Sequence, residues 1–225
     1  MAHIQQLSFI KTIAQHLTSD YSDVKILEIG SYDVNGSVRN YFLDSDYLGT
    51  DLVEGPSVDL VADGHLITHK DNTYEITISC ECFEHNPNYF ENFLKMIDLA
   101  KDDGIVVFTC ASVGRDEHGT EESNISSSPG SMKKWNYYKN LKKSHFTKKV
   151  DLSKFFFKFL FFENFVSKDL YFVGIKSKRH EKNLSDFRKK VLSKNTLVLD
   201  LNLNLRKIIL RNIKFIINNI FPIVF

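Results

Sequence analysis

Apolar and polar positions follow two rhythms along this chain. Between residues 2 and 18, Ile4, Leu7, Ile13 and Leu17 recur at helical spacing, which predicts an amphipathic helix. VKILEIG, 24–30, is a short, β-branched apolar run closed by glycine, the signature of a strand. NGSVRNYFL then reads as a helix started by Asn35 and Ser37, DYLGTD as a second strand and SVDLVAD as a third. YEITISC predicts a fourth strand, PNYFENFLKMIDLA a helix with proline in its first turn, and GIVVFTC a fifth strand after the turn DDG. LYFVGIKSK, 170–178, is the last clear strand, expected to pair antiparallel with the segment near 161–167. Strands alternating with helices predict an α/β, Rossmann-like fold: a mostly parallel sheet covered on both faces, with ligands at the carboxyl ends of the strands.

Two stretches break the rhythm. Residues 111–150 mix Gly, Ser, Pro and Lys and predict a long loop or lid over the ligand edge. From Leu197, leucines at 197, 199, 201, 203 and 205 have the period of a strand, and RKIILRNIKFIINNIF places Lys207, Arg211, Lys214 and Asn218 opposite Leu205, Ile209, Ile213, Ile216 and Ile220. The expected division is a domain over 1–180, with the lid at 111–150, and a C-terminal extension over 181–225.

Composition refines this picture at three points. With 225 residues and 43% hydrophobic content the chain can bury one sizeable core. Cys80, Cys82 and Cys110 are odd in number, and the start MAHIQQLSFIKTIAQHL lacks the basic and apolar regions of a secretion signal, so the expected address is a reducing cytoplasm. Residues 1–123 hold 22 acids against 7 Lys+Arg, whereas residues 124–225 hold 6 acids against 22 Lys+Arg. The acid-free end of the tail suits packing on the core or in a homodimer, with peripheral contact to an anionic inner-membrane surface as the alternative.

The loop ILEIGSYDVNGSVR carries the chemistry. A dinucleotide loop uses G-x-G-x-x-G to bring backbone against a pyrophosphate, yet here Tyr32 stands where the second glycine belongs. A ligand without a pyrophosphate does not need that closeness. S-adenosylmethionine is such a ligand: Glu28 supplies a carboxylate for its ammonium, Asp51 at the end of the second strand can accept from both ribose hydroxyls, and Asp63 ends the third strand within reach of the adenine amino group.

These segments resemble the class I, Rossmann-like S-adenosylmethionine-dependent methyltransferases over about residues 24–178. ILEIGSYDVNGSVR looks like the first motif of that family, YLGTDLVEGPSVDLVAD like the ribose and adenine motifs, and CECFEHNPNYFENFLKMIDLAKDDGIVVFTCAS like the fourth and fifth. GRDEHGT, 114–120, and YYKNL, 137–141, resemble a bacterial group within it. The resemblance implies that Gly30, Ser31 and Tyr32 line the methionine part, Asp51 and Leu52 the ribose, Asp63 and Gly64 the adenine, and Cys80, Glu81 and His85 the floor near the sulfonium. It implies methyl transfer to a small-molecule or sugar-type acceptor, extending to capsule or lipopolysaccharide glycans and their phosphate or phosphoramidate groups. A scaffold that binds the cofactor without turnover and a nucleic-acid methyltransferase are the alternatives.

In-line displacement at a sulfonium needs alignment first, and a base only for a protonated acceptor. His118 and His85 are the candidate catalytic groups, with His118 favoured because it sits in the loop beside Arg115. Arg115, His118, Tyr137 and Tyr138 are candidate acceptor contacts, and Trp135 a packing residue of the lid. Cys80, Cys82 and His85 lack a fourth ligand partner, so no metal is expected. KKWNYYKNLKKSHFTKK interleaves aromatics with lysines, but no nucleic-acid-binding motif accompanies it.

Overall fold

The first helical stripe forms α1, Ile4–Leu17, in the computed structural model, which describes residues 3–18, 21, 23–193 and 197–199. His3 caps it by accepting from the Gln6 amide at 3.3 Å. The face it buries is Gln6, Phe9, Ile10, Ile13 and Leu17, while Ile4 of the expected stripe is exposed.

The strands are β1 (Lys25–Ile29), β2 (Asp46–Asp51), β3 (Leu60–Val61), β4 (Tyr74–Cys80), β5 (Ala100–Ala111), β6 (Lys158–Asn164), β7 (Asp169–Ile175) and β8 (Leu197–Leu199). The remaining helices are α2 (Tyr89–Leu99), α3 (Pro129–Lys134), α4 (Ser144–Thr147) and α5 (Glu181–Leu192). All eight strands form one sheet in the order β3-β2-β1-β4-β5-β7-β6-β8. The pairs from β3 through β5 are parallel, and β7 runs antiparallel to both β5 and β6. The β6–β7 hairpin matches the antiparallel pair expected from the sequence, with its first strand beginning three residues earlier, at Lys158.

Alternation along the strands divides the core in two. Ile26, Ile76, Ile78, Ile105, Val107, Tyr171 and Val173 face α1 and α5. Leu27, Ile29, Val106, Phe108 and Phe172 face α2 and the aromatic residues Phe146, Phe156 and Phe161. The Phe108 ring stacks on Phe172 at 5.0 Å and on Phe146 at 4.6 Å, which fastens the long loop 112–157 to the sheet.

Three local expectations are corrected. The segment after β1 forms only a 3₁₀ turn, Val38–Tyr41, although Ser37 does cap it by accepting from the Arg39 amide. The face an α-helix would cover there is already filled by α1, against which Val38 and Phe42 pack. Pro87 precedes α2 rather than lying in its first turn. Asp102 to Gly104 is an irregularity inside β5, where the register with β4 jumps from Tyr74↔Ala100 to Ile76↔Ile105, rather than a turn before the strand.

Residues 181–192, placed by sequence in the extension, contribute Leu184, Phe187 and Val191 to the core on α1. In the leucine-alternating tail, Leu197–Leu199 adds an antiparallel strand to β6. The rest of the tail, with the amphipathic basic stretch and its expected homodimer or membrane contact, lies outside the described residues. Among the described residues no helix is long and apolar enough to cross a membrane.

Phe187 is fully buried, with its ring 5.4 Å from Phe9 and 6.1 Å from Phe162. Phe187→Ala should therefore cost about 3–5 kcal/mol in urea unfolding, as for other buried phenylalanines. A variant as stable as the parent would detach α5 from the folded unit.

Candidate functional site

The strand order reverses between β1 and β4. The connection after β1 crosses on the α1 face and α2, after β4, packs on the other, so a crevice opens above the carboxyl ends of these two strands. A cavity lies in it, open to solvent at its mouth and lined by the ends of β1, β2 and β4 and by residues 127–131.

Gly30 ends β1 with φ +84°, a conformation that favours glycine. Its amide and that of Ser31 both donate to the Thr50 carbonyl, at 2.8 and 3.0 Å. A Cβ on Gly30 would stand 2.5 Å from both Cβ and Sγ of Cys82. Glycine is thus required by the contact between the β1 and β4 loops. The Tyr32 amide donates to Asp51 Oδ2 at 3.2 Å, and the Leu52 amide to Asp51 Oδ1 at 2.7 Å. Burial nevertheless raises the Asp51 pKa, against the lowering by these amides. Glu28 is buried and accepts from the Tyr47 hydroxyl at 2.8 Å. Burial pushes its pKa up to about 7, with the Tyr47 bond opposing.

The sequence-selected residues Glu28, Gly30, Ser31, Tyr32, Asp51, Leu52, Gly64, Cys80, Glu81 and His85 all line this one cavity. Asp63 does not. It is buried behind the lid, with Oδ1 2.8 Å from His65 Nδ1 and Oδ2 2.7 Å from Lys134 Nζ. Burial raises the Cys80 and Cys82 thiols, so neither is a thiolate at neutral pH.

The lid reaches further over the site than its composition suggested. Residues 127–131 line the cavity. Gly130 approaches so closely that a Cβ there would lie 2.6 Å from Asp51 Oδ1. Ser131 Oγ and Trp135 Nε1 both donate to the His85 carbonyl at 2.8 Å, which makes Trp135 an anchor of the lid. YYKNL is laid down as a strap: Lys139 N–H donates to the Glu84 carbonyl at 2.8 Å and Leu141 N–H to that of Ala111 at 2.9 Å.

Among the residues expected to meet an acceptor, the rings of His85 and His118 meet edge to face at 4.8 Å, with Tyr138 5.0 Å from His118 and 5.4 Å from His85; of these only His85 lines the cavity. The Tyr138 hydroxyl lies within hydrogen-bond distance of the Asp116 carbonyl and Asn140 Oδ1. Tyr137 is half-buried on the same strap. Arg115 is turned inward, donating to the Ser167 carbonyl at 2.6 Å and lying 3.4 Å from the buried Asp169 carboxylate. It braces the loop against β7 instead of facing the cavity.

Neither a family model nor a curated protein matches the sequence. Solved structures do. The 1,6-didemethyltoxoflavin-N1-methyltransferase of Burkholderia thailandensis, solved with 1,6-didemethyltoxoflavin and S-adenosylhomocysteine, superposes with a TM-score of 0.54 at 11% identity over 78% of this chain and 79% of that one. The CurJ carbon methyltransferase superposes with a TM-score of 0.53 at 15% identity, over 77% of this chain and 54% of that one. This is the class I methyltransferase fold. Within it, the crevice between β1 and β4 holds the cofactor candidates that the sequence motifs singled out, Asp63 excepted.

In a class I fold the contact at Gly30 belongs to the scaffold itself. Gly30→Ala should lower stability by about 1–3 kcal/mol through strain and overpacking on Cys82, measured by thermal unfolding without ligand. An unchanged melting temperature would show that the β4 loop moves aside freely.

Proposed function

We propose that the protein is an S-adenosylmethionine-dependent methyltransferase acting on a small-molecule or sugar-type acceptor. The observation that carries this reading is one cavity at the β1/β4 crevice in which buried acids and unpartnered polar atoms suit the parts of that cofactor. Asp51 Oδ1 and Oδ2 each take one amide hydrogen and each keep a lone pair for a ribose hydroxyl. The Ser31 hydroxyl and both Glu81 oxygens are buried without a hydrogen-bond partner, beside Glu28. The two acids can hold the ammonium of a methionine moiety, and the Ser31 hydroxyl can donate to its carboxylate.

When bound, S-adenosylmethionine supplies a methyl group on a cationic sulfur. The chain's own task is positional. Residues 127–131 roof the cavity and keep water away from the reacting edge. His85 lines the cavity, backed by the rings of His118 and Tyr138, and an acceptor would stand at that edge. The choice of a surface-glycan acceptor rests on the resemblance of GRDEHGT and YYKNL to a bacterial group. Release of S-adenosylhomocysteine with a panel of sugar and sugar-phosphate acceptors tests it; binding of the cofactor without release on any acceptor would favour a scaffold.

Two measurements probe the cofactor side. Asp51→Ala should weaken S-adenosylmethionine binding by about 1–3 kcal/mol in calorimetry, the worth of hydrogen bonds to a charged group, and equal affinity would remove Asp51 from the site. The second is pH. Glu28, with a pKa of about 7 in the free protein, must be ionised to face an ammonium. Cofactor affinity should accordingly fall as pH drops below about 7, with protons released on binding. Glu28→Gln should flatten this dependence; an unaltered slope would assign the titration to another group.

A further inference from the structure

Beside the cavity, and sharing His85 with its lining, lies a second cluster of polar side chains. Glu84, His85 and His118 each offer a ligand atom, all within 4.8 Å of one another. Glu84 is fully buried and His85 is 4% exposed. Both Glu84 oxygens, both His85 ring nitrogens and His118 Nε2 are buried without a well-aligned hydrogen-bond partner, with the backbone of Ala111 acting on Glu84 and that of Tyr137 on His85. Buried polar groups in this number are normally paired, and a carboxylate among them is costly unless something of opposite charge meets it.

The surroundings prepare these atoms as ligands. His118 Nδ1 lies 3.0 Å from the Asp116 carbonyl. A carbonyl only accepts, so Nδ1 carries the hydrogen and Nε2 presents a lone pair to the cluster, the arrangement found behind metal-bound imidazoles. Gly119, at φ +69°, presses on the His85 ring, where a Cβ would come within 2.8 Å of Cε1. That glycine lets the loop deliver its neighbour His118 onto His85. The Tyr138 ring closes a further side. The nearby group His3, Glu81 and Asp169 differs, because His3 Nε2 already pairs with Asp169 Oδ2 at 2.8 Å and Arg115 with the same carboxylate.

We propose that Glu84, His85 and His118 bind a divalent first-row transition-metal ion at the edge of the cavity. Two imidazoles and one carboxylate suit such an ion better than magnesium or calcium, which prefer oxygen. Ligand atoms around it stand about 3–4 Å apart, so a contraction of roughly 1 Å closes the site. Three protein ligands leave positions open, and His85 lines both the cluster and the cavity. There the ion can take the hydroxyl oxygen of an acceptor and lower its pKa. The hydroxyl proton leaves to solvent, the oxygen forms its bond to the methyl carbon, and the carbon–sulfur bond breaks with its electron pair on sulfur, which becomes neutral. This catalytic role rests on the methyltransferase reading; binding of the ion does not.

The test uses the full-length protein, stripped with a chelator and titrated with Co²⁺, Zn²⁺ or Mn²⁺. Stoichiometric Co²⁺ binding with visible d–d absorption is expected, and Glu84→Gln and His118→Ala should each weaken it about ten-fold or more, the scale on which lost ligation support is felt. Glu122→Gln, on the exposed part of the same loop, should bind like the parent. His118 is only half-buried, so His118→Ala keeps the test decisive if Glu84→Gln fails to fold. No stoichiometric binding by the parent, or equal binding by a folded His118→Ala, overturns the site. Full methyl transfer by the stripped protein overturns the catalytic role, whereas metal binding without any binding of S-adenosylmethionine would leave the site standing and remove the methyltransferase reading.

Discussion

The contact between Gly30 and Cys82 sets the geometry of the molecule. It joins the ends of the two strands whose connections leave on opposite faces of the sheet, and it is tight enough to exclude even one methyl group. Because the β1 loop is held there, its next amides turn toward Thr50 and Asp51. Everything that faces the cavity follows from that turn: Ser31 and Tyr32 on one side, Glu81 and His85 on the other. Tyr32, which stands where a dinucleotide loop has glycine, lines the cavity with its ring against Gly55.

The floor built on this contact is unusual in its charge. Glu81 and Glu84 are both raised in pKa, by burial first and then by neighbouring carboxylates, while burial and then His118 drive His85 down. Burial thus disfavours the charged form of all three groups, the kind of perturbation that functional clefts produce. Glu81 itself sits at φ +51°, outside the region a glutamate prefers. Strain, burial and unmet hydrogen bonds coincide at the end of β4, where the sheet is most tightly enclosed.

The long loop after β5 closes the site from above by fastening itself at separate points. Aromatic packing of Phe146 on Phe108 secures its far end. Lys134 on Asp63, and Ser131 and Trp135 on the His85 carbonyl, secure the roof. Arg115 secures the near end to β7. Lysines that read in sequence as an interleaved basic stretch are thereby partly assigned to structure, with Lys149 lying over the Phe90 ring at 4.4 Å.

The sequence by itself determined the sheet and one half of the site. Strand periodicity and glycine-ended runs are local signals, so β1, β2 and β4 stood where the pattern put them and β5 and β7 differed from it only at their ends, and two of the three strand-end acids, Glu28 and Asp51, line the cavity. Only tertiary structure decided the rest, since it depends on which surfaces compete for the same face. α1 occupies the place of a helix after β1, and α5 fills the core beside it. Lys134, 71 residues along the chain from Asp63, reaches that carboxylate only because the lid folds back. In sequence Glu84 stands out only as the acid of a Glu–His pair with its neighbour His85. Its importance lies in meeting His118 from a loop on the far side of β5, a proximity that no periodicity within either segment encodes.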